Sequence, residues 1–225
     1  MDTWSSTNQS NSSNIARKYG IYDQRPLDVL QYWLQHKTGA GFITIDGSNG
    51  NKDNINITDP FTASQKFADV TKWIRSLDNT VYPGAATLPI WWAEWYASPY
   101  TSTADAKYNN AIKSFAMIEL IKAGGGVPFL WGGQDERTPG TGLWTATMAG
   151  GGRPLPWYYS YKALNDYFGV GTEIYKTTVS MPNSVEALAS STRVMLVNKT
   201  ANTLTVSIRG RSFLLGPYQV DVVTL

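Results

Sequence analysis

The stretch Leu88-Pro-Ile-Trp-Trp-Ala-Glu-Trp-Tyr-Ala-Ser98 decides how the surrounding chain folds. Its first half is short, apolar and rich in aromatic residues, which predicts a buried strand that ends near Glu94. Three indoles and a phenol flank the carboxylate of Glu94. Buried carboxylates are rare without a partner or a chemical task. Two interpretations follow: a structural Glu held in a salt bridge, or a Glu kept for its reactivity.

Aromatic rings beside a carboxylate suit the handling of sugars. Aromatic faces stack on the C–H faces of pyranose rings, and a carboxylate held at a strand end can serve as nucleophile, acid or base. Glu94 is therefore the candidate catalytic residue. Trp92, Trp95 and Tyr96 are candidate substrate-binding residues.

The composition narrows the class of ligand. The chain has 225 residues, of which 42% are hydrophobic, so it can bury a substantial core. The net charge is +2 and the basic residues are scattered, so we expect neither nucleic acid nor an anionic membrane as partner. Nine Trp and an aromatic content of 13% favour a binding surface lined with rings.

The scarcity of two residue types excludes several chemistries. The absence of Cys excludes disulfides, thiol nucleophiles and Cys-based zinc sites. The single His argues against a His-based metal site, because such sites need several His ligands. We expect no cofactor and no metal. The sequence has no run of about twenty apolar residues that would predict a membrane span, so we expect a soluble chain. Its localisation is otherwise open, and the sequence is compatible with secretion of the full-length protein.

The order of elements predicts an α/β region followed by a β region. Residues 1–18 are polar and are expected to form a flexible N-terminal arm. Strands alternate with helices over residues 19–170, the order typical of parallel β/α units. Residues 171–225 alternate apolar and polar positions between turn signals, as in short antiparallel strands. The predicted helices are 27–37, 59–77, 104–123 and 157–168; the predicted strands are 42–46, 88–94, 127–131, 172–181, 185–189, 193–198, 204–209 and 218–225.

This order, together with the run from Pro89 to Tyr96, resembles the C-terminal half of retaining glycoside hydrolases of clan A, of the family 39 and family 79 type. The resemblance implies the last three or four β/α units of a (β/α)8 TIM barrel over residues 19–170. It implies a small antiparallel β-sandwich domain over residues 171–225. It also implies that Glu94, at the end of the seventh barrel strand, is the nucleophile.

The predicted barrel gives the other candidate residues their places. Active sites of such barrels gather at the C-terminal ends of the strands, where Asp46, Glu94 and Trp131 fall. We expect Trp131 to form a platform under the sugar, Asp46 to bind a substrate hydroxyl, and Trp144 to complete the substrate-binding set. Strand alternation is expected to place Trp92 in the barrel interior below Glu94, with the neighbouring Trp91 facing the helices.

The second carboxyl group that retaining hydrolysis needs is missing from its expected place. In the families resembled it belongs to an Asn-Glu pair, and this sequence contains no Asn-Glu dipeptide. Asp135 and Glu136, after the last predicted barrel strand, are weak substitutes. The simplest hypothesis is a fragment or split enzyme, inactive alone, whose acid/base comes from outside this chain. A complementary N-terminal barrel half or a second copy would then cover the incomplete sheet.

A different class of function stays open. The same rings suit a non-catalytic carbohydrate-binding protein, or a structural fragment of a glycosidase-like protein in which the Trp residues are core. For the glycoside hydrolase and for the carbohydrate-binding protein, the expected ligand is an oligosaccharide or a glycoside.

Overall fold

A computed structural model describes residues 24–49, 59–98, 105–130, 132–134, 140–149 and 151–225. The chain divides into two compact units. As far as their residues are described, the first comprises Met1–Ala97 and Glu119–Trp131, and the second comprises Ser98–Ile118 and Gly132–Leu225. Residues 132–170, as far as they are described, group with the C-terminal strands, and the domain boundary expected at residue 170 stays a prediction. The arm expected over 1–18 lies outside the described residues.

The first unit holds short helices and a parallel sheet. The start of its second helix is fixed by Asp59, whose carboxylate accepts hydrogen bonds from the backbone N–H groups of Phe61 and Thr62 at 3.3 and 2.9 Å, while Pro60 occupies the first turn. The elements are α1 (Gln24–His36), β1 (Ile43–Ser48), α2 (Pro60–Ser64), α3 (Lys66–Ser76), β2 (Ile90–Tyr96) and β3 (Pro128–Leu130).

The sheet of the first unit is open. Its strand order is β1-β2-β3, both pairs are parallel, and no other described strand joins it. The predicted fold class, a partial (β/α)8 barrel followed by a β-sandwich, is therefore wrong: the described strands form small parallel and antiparallel sheets of a mixed α/β protein and do not close a barrel. A strand–helix repeat dictates parallel pairing between neighbouring strands, but closure depends on strand number and tilt, which the repeat does not encode.

A β-bulge interrupts the central strand. In the ladder with β1, Trp92 pairs with Ile45. The next pair joins Glu94 to Asp46, so Ala93 is an extra residue. The ladder between β2 and β3 shifts in the same place, between Trp92 and Trp95. The bulge therefore belongs to β2 itself.

The bulge brings two indoles to one face of the sheet. Trp92 and Trp95 are both fully buried, and Phe67 of α3 meets their rings edge-on at centroid distances of 5.0 and 5.7 Å. We call this side the helix face. The predicted orientation of Trp92 and Trp91 is wrong: Trp92 packs under α3, and Trp91 lies on the opposite side. Alternation separates the two faces of a strand, but it does not say which face the helices cover.

The second unit contains two antiparallel sheets, β4-β5-β8 and β6-β7. Ala187, Val194, Leu196, Leu215 and Val223 form one buried apolar cluster with residues from both sheets. The strand expected over 172–181 is reduced to an isolated bridge between Tyr175 and Ala189. The elements are α4 (Ala106–Lys122, whose residues from Glu119 group with the first unit), a 3-10 turn (Thr147–Ala149), α5 (Pro156–Phe168), β4 (Val185–Ala189), β5 (Arg193–Asn198), β6 (Leu204–Ile208), β7 (Arg211–Leu215) and β8 (Val220–Thr224).

A buried amide organises the connections around β5. The Asn198 side chain is fully buried, and its Nδ2 group donates to the carbonyl oxygens of Asn202 and Gly216 at 2.7 and 2.8 Å. Its Oδ1 atom accepts hydrogen bonds from the N–H and hydroxyl groups of Thr200, both at 2.9 Å. One side chain thus ties the β5–β6 turn to the segment after β7.

We expect Gly47→Ala to destabilise the first unit by about 1–3 kcal/mol, the usual cost of overpacking. A Cβ atom at Gly47 would lie 2.9 Å from a ring carbon of Trp92. Urea denaturation followed by Trp fluorescence measures the change. Gly41→Ala is the matched control, because a Cβ there meets nothing within 4 Å; equal stability of both variants would contradict the packing described.

We expect Asn198→Ala to lower the free energy of unfolding by about 2–3 kcal/mol, because several buried polar groups lose their partner. Asn202→Ala, which removes an exposed side chain from the same turn, should change it by less than about 0.5 kcal/mol. Thermal or urea denaturation compares the two variants, and an equal loss in both would refute the role of the buried amide.

Candidate functional site

The side of the parallel sheet away from α3 carries the reactive groups of the first unit. Register partners in neighbouring strands point to the same side of a sheet. Thr44 pairs with Trp91 and Asp46 with Glu94, while the pair between them, Ile45 and Trp92, is buried on the helix face. We call the side that carries Trp91, Asp46 and Glu94 the open face.

Glu94 lies half-buried at the carboxyl end of β2. Its register partner Asp46 stands on the neighbouring strand, and parallel strands lie about 4.8 Å apart. Glu94 has no hydrogen-bond or ion-pair partner among the described residues. The salt-bridged interpretation of Glu94 therefore finds no support in the described part of the chain, and the carboxylate is available to a ligand.

The open face carries three rings that the sequence did not assign to the site: Trp91, which was predicted to face the helices, and Phe42 and Phe129. Phe42 stacks on Trp91 at a centroid distance of 4.1 Å and an interplanar angle of 5°, and Phe129 meets Trp91 at 5.9 Å. Phe42 and Phe129 are 40% and 48% exposed. We call these three residues the open-face aromatic cluster. The even spacing of Phe42 from Asp46 and the parallel register carried the signal, but only once the helix face was known.

Polar contacts hold the carboxyl ends of β1 and β2. The ammonium group of Lys66, a residue only 2% exposed, donates to the Ser48 carbonyl oxygen at 3.2 Å. The Asn49 backbone N–H donates to the Tyr96 carbonyl oxygen at 3.2 Å, and its side chain donates to the Ser64 hydroxyl at the same distance. These bonds fix the strand ends that carry Asp46 and Glu94.

The loop before β2 is clamped by one cation. The Arg75 guanidinium donates to the carbonyl oxygens of Ala85 and Leu88 at 2.6 and 2.8 Å. Burial lowers the pKa of Arg75, which nevertheless stays cationic. The clamp sets the point at which the chain enters the central strand.

The structure brings together only part of the predicted site. Tyr96, the register partner of Ser48, is 38% exposed and lies on the same strand as Glu94. Trp92 and Trp95 have no exposed surface with which to contact a ligand. Their place beneath the sheet makes them supports for the backbone at Glu94.

The remaining predicted residues belong to the second unit or lie outside the described residues. Trp144 lies partly buried in the second unit, where it bridges to Gln134 and Pro154. Trp131, Asp135 and Glu136 lie outside the described residues. The described residues contain no cluster of three metal-ligating side chains and no helix long and apolar enough to cross a membrane.

Comparison with known proteins adds no family. The chain matches no protein-family model, and no curated protein is detectably similar to it in sequence. The resemblance to clan A glycoside hydrolases therefore stays a prediction from the residues that carry it.

We expect Glu94→Gln to change the free energy of unfolding by less than about 0.5 kcal/mol, because the carboxylate has no partner among the described residues. Asp59→Ala, which removes the cap of α2, should lower the free energy of unfolding by about 1 kcal/mol. This variant is the positive control, because it shows that the assay detects a lost contact. Urea denaturation measures both. A loss above 1 kcal/mol in Glu94→Gln would indicate a structural carboxylate.

Proposed function

We propose that this chain is the nucleophile-bearing component of a retaining glycoside hydrolase that cleaves O-glycosyl bonds. The observation that carries the proposal is the bulge of β2. It places Glu94 on the open face beside Asp46 while the flanking Trp92 and Trp95 stay buried. Bulges next to active sites serve to re-aim a side chain in this way.

The chemistry assigns one step to this chain. The Glu94 carboxylate attacks the anomeric carbon and forms a covalent glycosyl–enzyme intermediate, while a second carboxyl group protonates the departing oxygen and later activates water. Asp46 is proposed to accept a hydrogen bond from a sugar hydroxyl. The acid/base is proposed to come from outside this chain.

The rings of the open face supply the apolar surface for the sugar. Tyr96 is exposed along the strand beyond Glu94, and Trp91 of the open-face aromatic cluster precedes it. Rings of this kind cover the C–H face of a pyranose without consuming its hydroxyl groups. Trp131 and Trp144 remain proposed substrate-binding residues.

The open sheet supports a proposed protein partner. Parallel sheets are normally covered on both faces, and within the described residues β1 and β3 each pair on one edge only. Unpaired edges and exposed rings favour association with other chains. We propose that a complementary chain or a second copy covers this sheet and brings the acid/base to Glu94.

An activated fluorosugar tests Glu94 as nucleophile even where the acid is missing. A dinitrophenolate leaving group departs without protonation, and fluorine beside the anomeric carbon slows hydrolysis of the intermediate, so the glycosyl–enzyme accumulates. We expect intact mass spectrometry to show addition of one fluorosugar from a panel of glucosyl, xylosyl and glucuronosyl probes, with the label on the Glu94 peptide.

The matched variants are Glu94→Gln and Glu173→Gln, the latter an exposed Glu of the second unit. The first should lose the label and the second should keep it. Undiminished labelling of Glu94→Gln would remove Glu94 from the nucleophile role. Saturable binding of the probes without labelling would favour the non-catalytic carbohydrate-binding alternative.

A further inference from the structure

A crevice of about 460 Å³ lies within the second compact unit, between α5, β8 and the first turns of α4. This volume falls in the range of small-molecule sites and exceeds that of one sugar ring. The crevice shares no residue with the open face and has no place in the function proposed above.

Two buried polar side chains line the crevice without complete hydrogen bonding. Asn110 is 5% exposed; its Oδ1 atom accepts from the Ser114 hydroxyl at 3.3 Å, while its Nδ2 group has no partner among the described residues. Ser160 is 6% exposed, and its hydroxyl likewise has no hydrogen bond in the described part of the chain. Both polar atoms keep some contact with solvent and belong to residues that line the crevice, so they can bond a polar ligand.

The remaining walls combine an acceptor with apolar surface. One oxygen of Asp221 accepts a hydrogen bond from the backbone N–H of Val222 at 2.8 Å, which orients the carboxylate and leaves its other oxygen for a ligand. Tyr159, which is 61% exposed, also lines the crevice, as do Pro154 and Pro156. The carboxylate opposes anionic ligands, while the tyrosine ring and the prolines offer an apolar surface.

We propose that this crevice binds a single neutral pyranose. Such a ring presents an apolar C–H face that fits the tyrosine and proline surface. Its hydroxyl groups can accept from Asn110 and Ser160 and donate to Asp221. The inference does not depend on Glu94 being a nucleophile, since no residue is common to the two sites.

Titration of the full chain by saturation-transfer NMR tests the site with methyl glucoside, methyl xyloside, glucuronate and glucosamine. We expect saturable binding of the neutral glycosides with Kd on the order of 1–10 mM, as befits so small a ligand. Glucuronate should bind more weakly, and Asp221→Asn should remove that difference. If glucosamine alone binds, the proposed ligand class is wrong.

Substitutions locate the binding. Tyr159→Ala and Ser160→Ala should each weaken binding about five-fold, the effect of one lost contact or hydrogen bond. Tyr167→Ala, on the same helix but outside the crevice, and Glu94→Gln should leave it unchanged. Melting curves confirm that each variant folds. Absence of saturable binding by either neutral glycoside, or binding lost only in Glu94→Gln, would overturn the proposal.

Discussion

The burial of two indoles in one strand is the constraint on which the first unit depends. Trp92 and Trp95 are three residues apart, so a regular strand would turn them to opposite sides. Each indole buries roughly 150–250 Å², and at about 25 cal/mol per Å² this favours burying both against Phe67. The extra residue of the bulge, Ala93, lets both indoles face the helices despite their odd spacing. Glu94, between the two indoles in sequence, is thereby carried to the opposite side.

Local signals in the sequence located most elements because each depends on neighbouring residues. The apolar spacing from Leu27 onward gives α1, and Pro60 with its cap gives the start of α2, close to the observed bounds. The strand expected over 172–181 failed for the opposite reason. Strand formation there needs a pairing edge, and only Tyr175 finds one. Barrel closure failed likewise, since it is a property of a whole ring of strands.

The candidate site was predictable in place but not in orientation. The position of Glu94 at a strand end follows from the run in which it stands, and parallel order puts Asp46 at the same edge of the sheet; their register does not follow, because the bulge shifts it. The buried state of Trp92 and Trp95 does not, because aromatic residues serve cores and binding surfaces alike. Which side chains of β2 face the helices is determined by packing against Phe67, a residue distant in sequence. The unfilled donors of Asn110 and Ser160 leave no trace in the sequence at all.

The Asn198 amide, which organises the β5–β6 turn, also belongs to a glycosylation acceptor triplet. Asn198-Lys199-Thr200 matches the acceptor pattern for N-linked glycosylation. In the native fold its nitrogen is sealed from solvent and already donates to main-chain oxygens, so an oligosaccharide can be attached only before the turn has formed. In a glycosylating host, a glycan attached to this nitrogen before folding would therefore oppose formation of the turn.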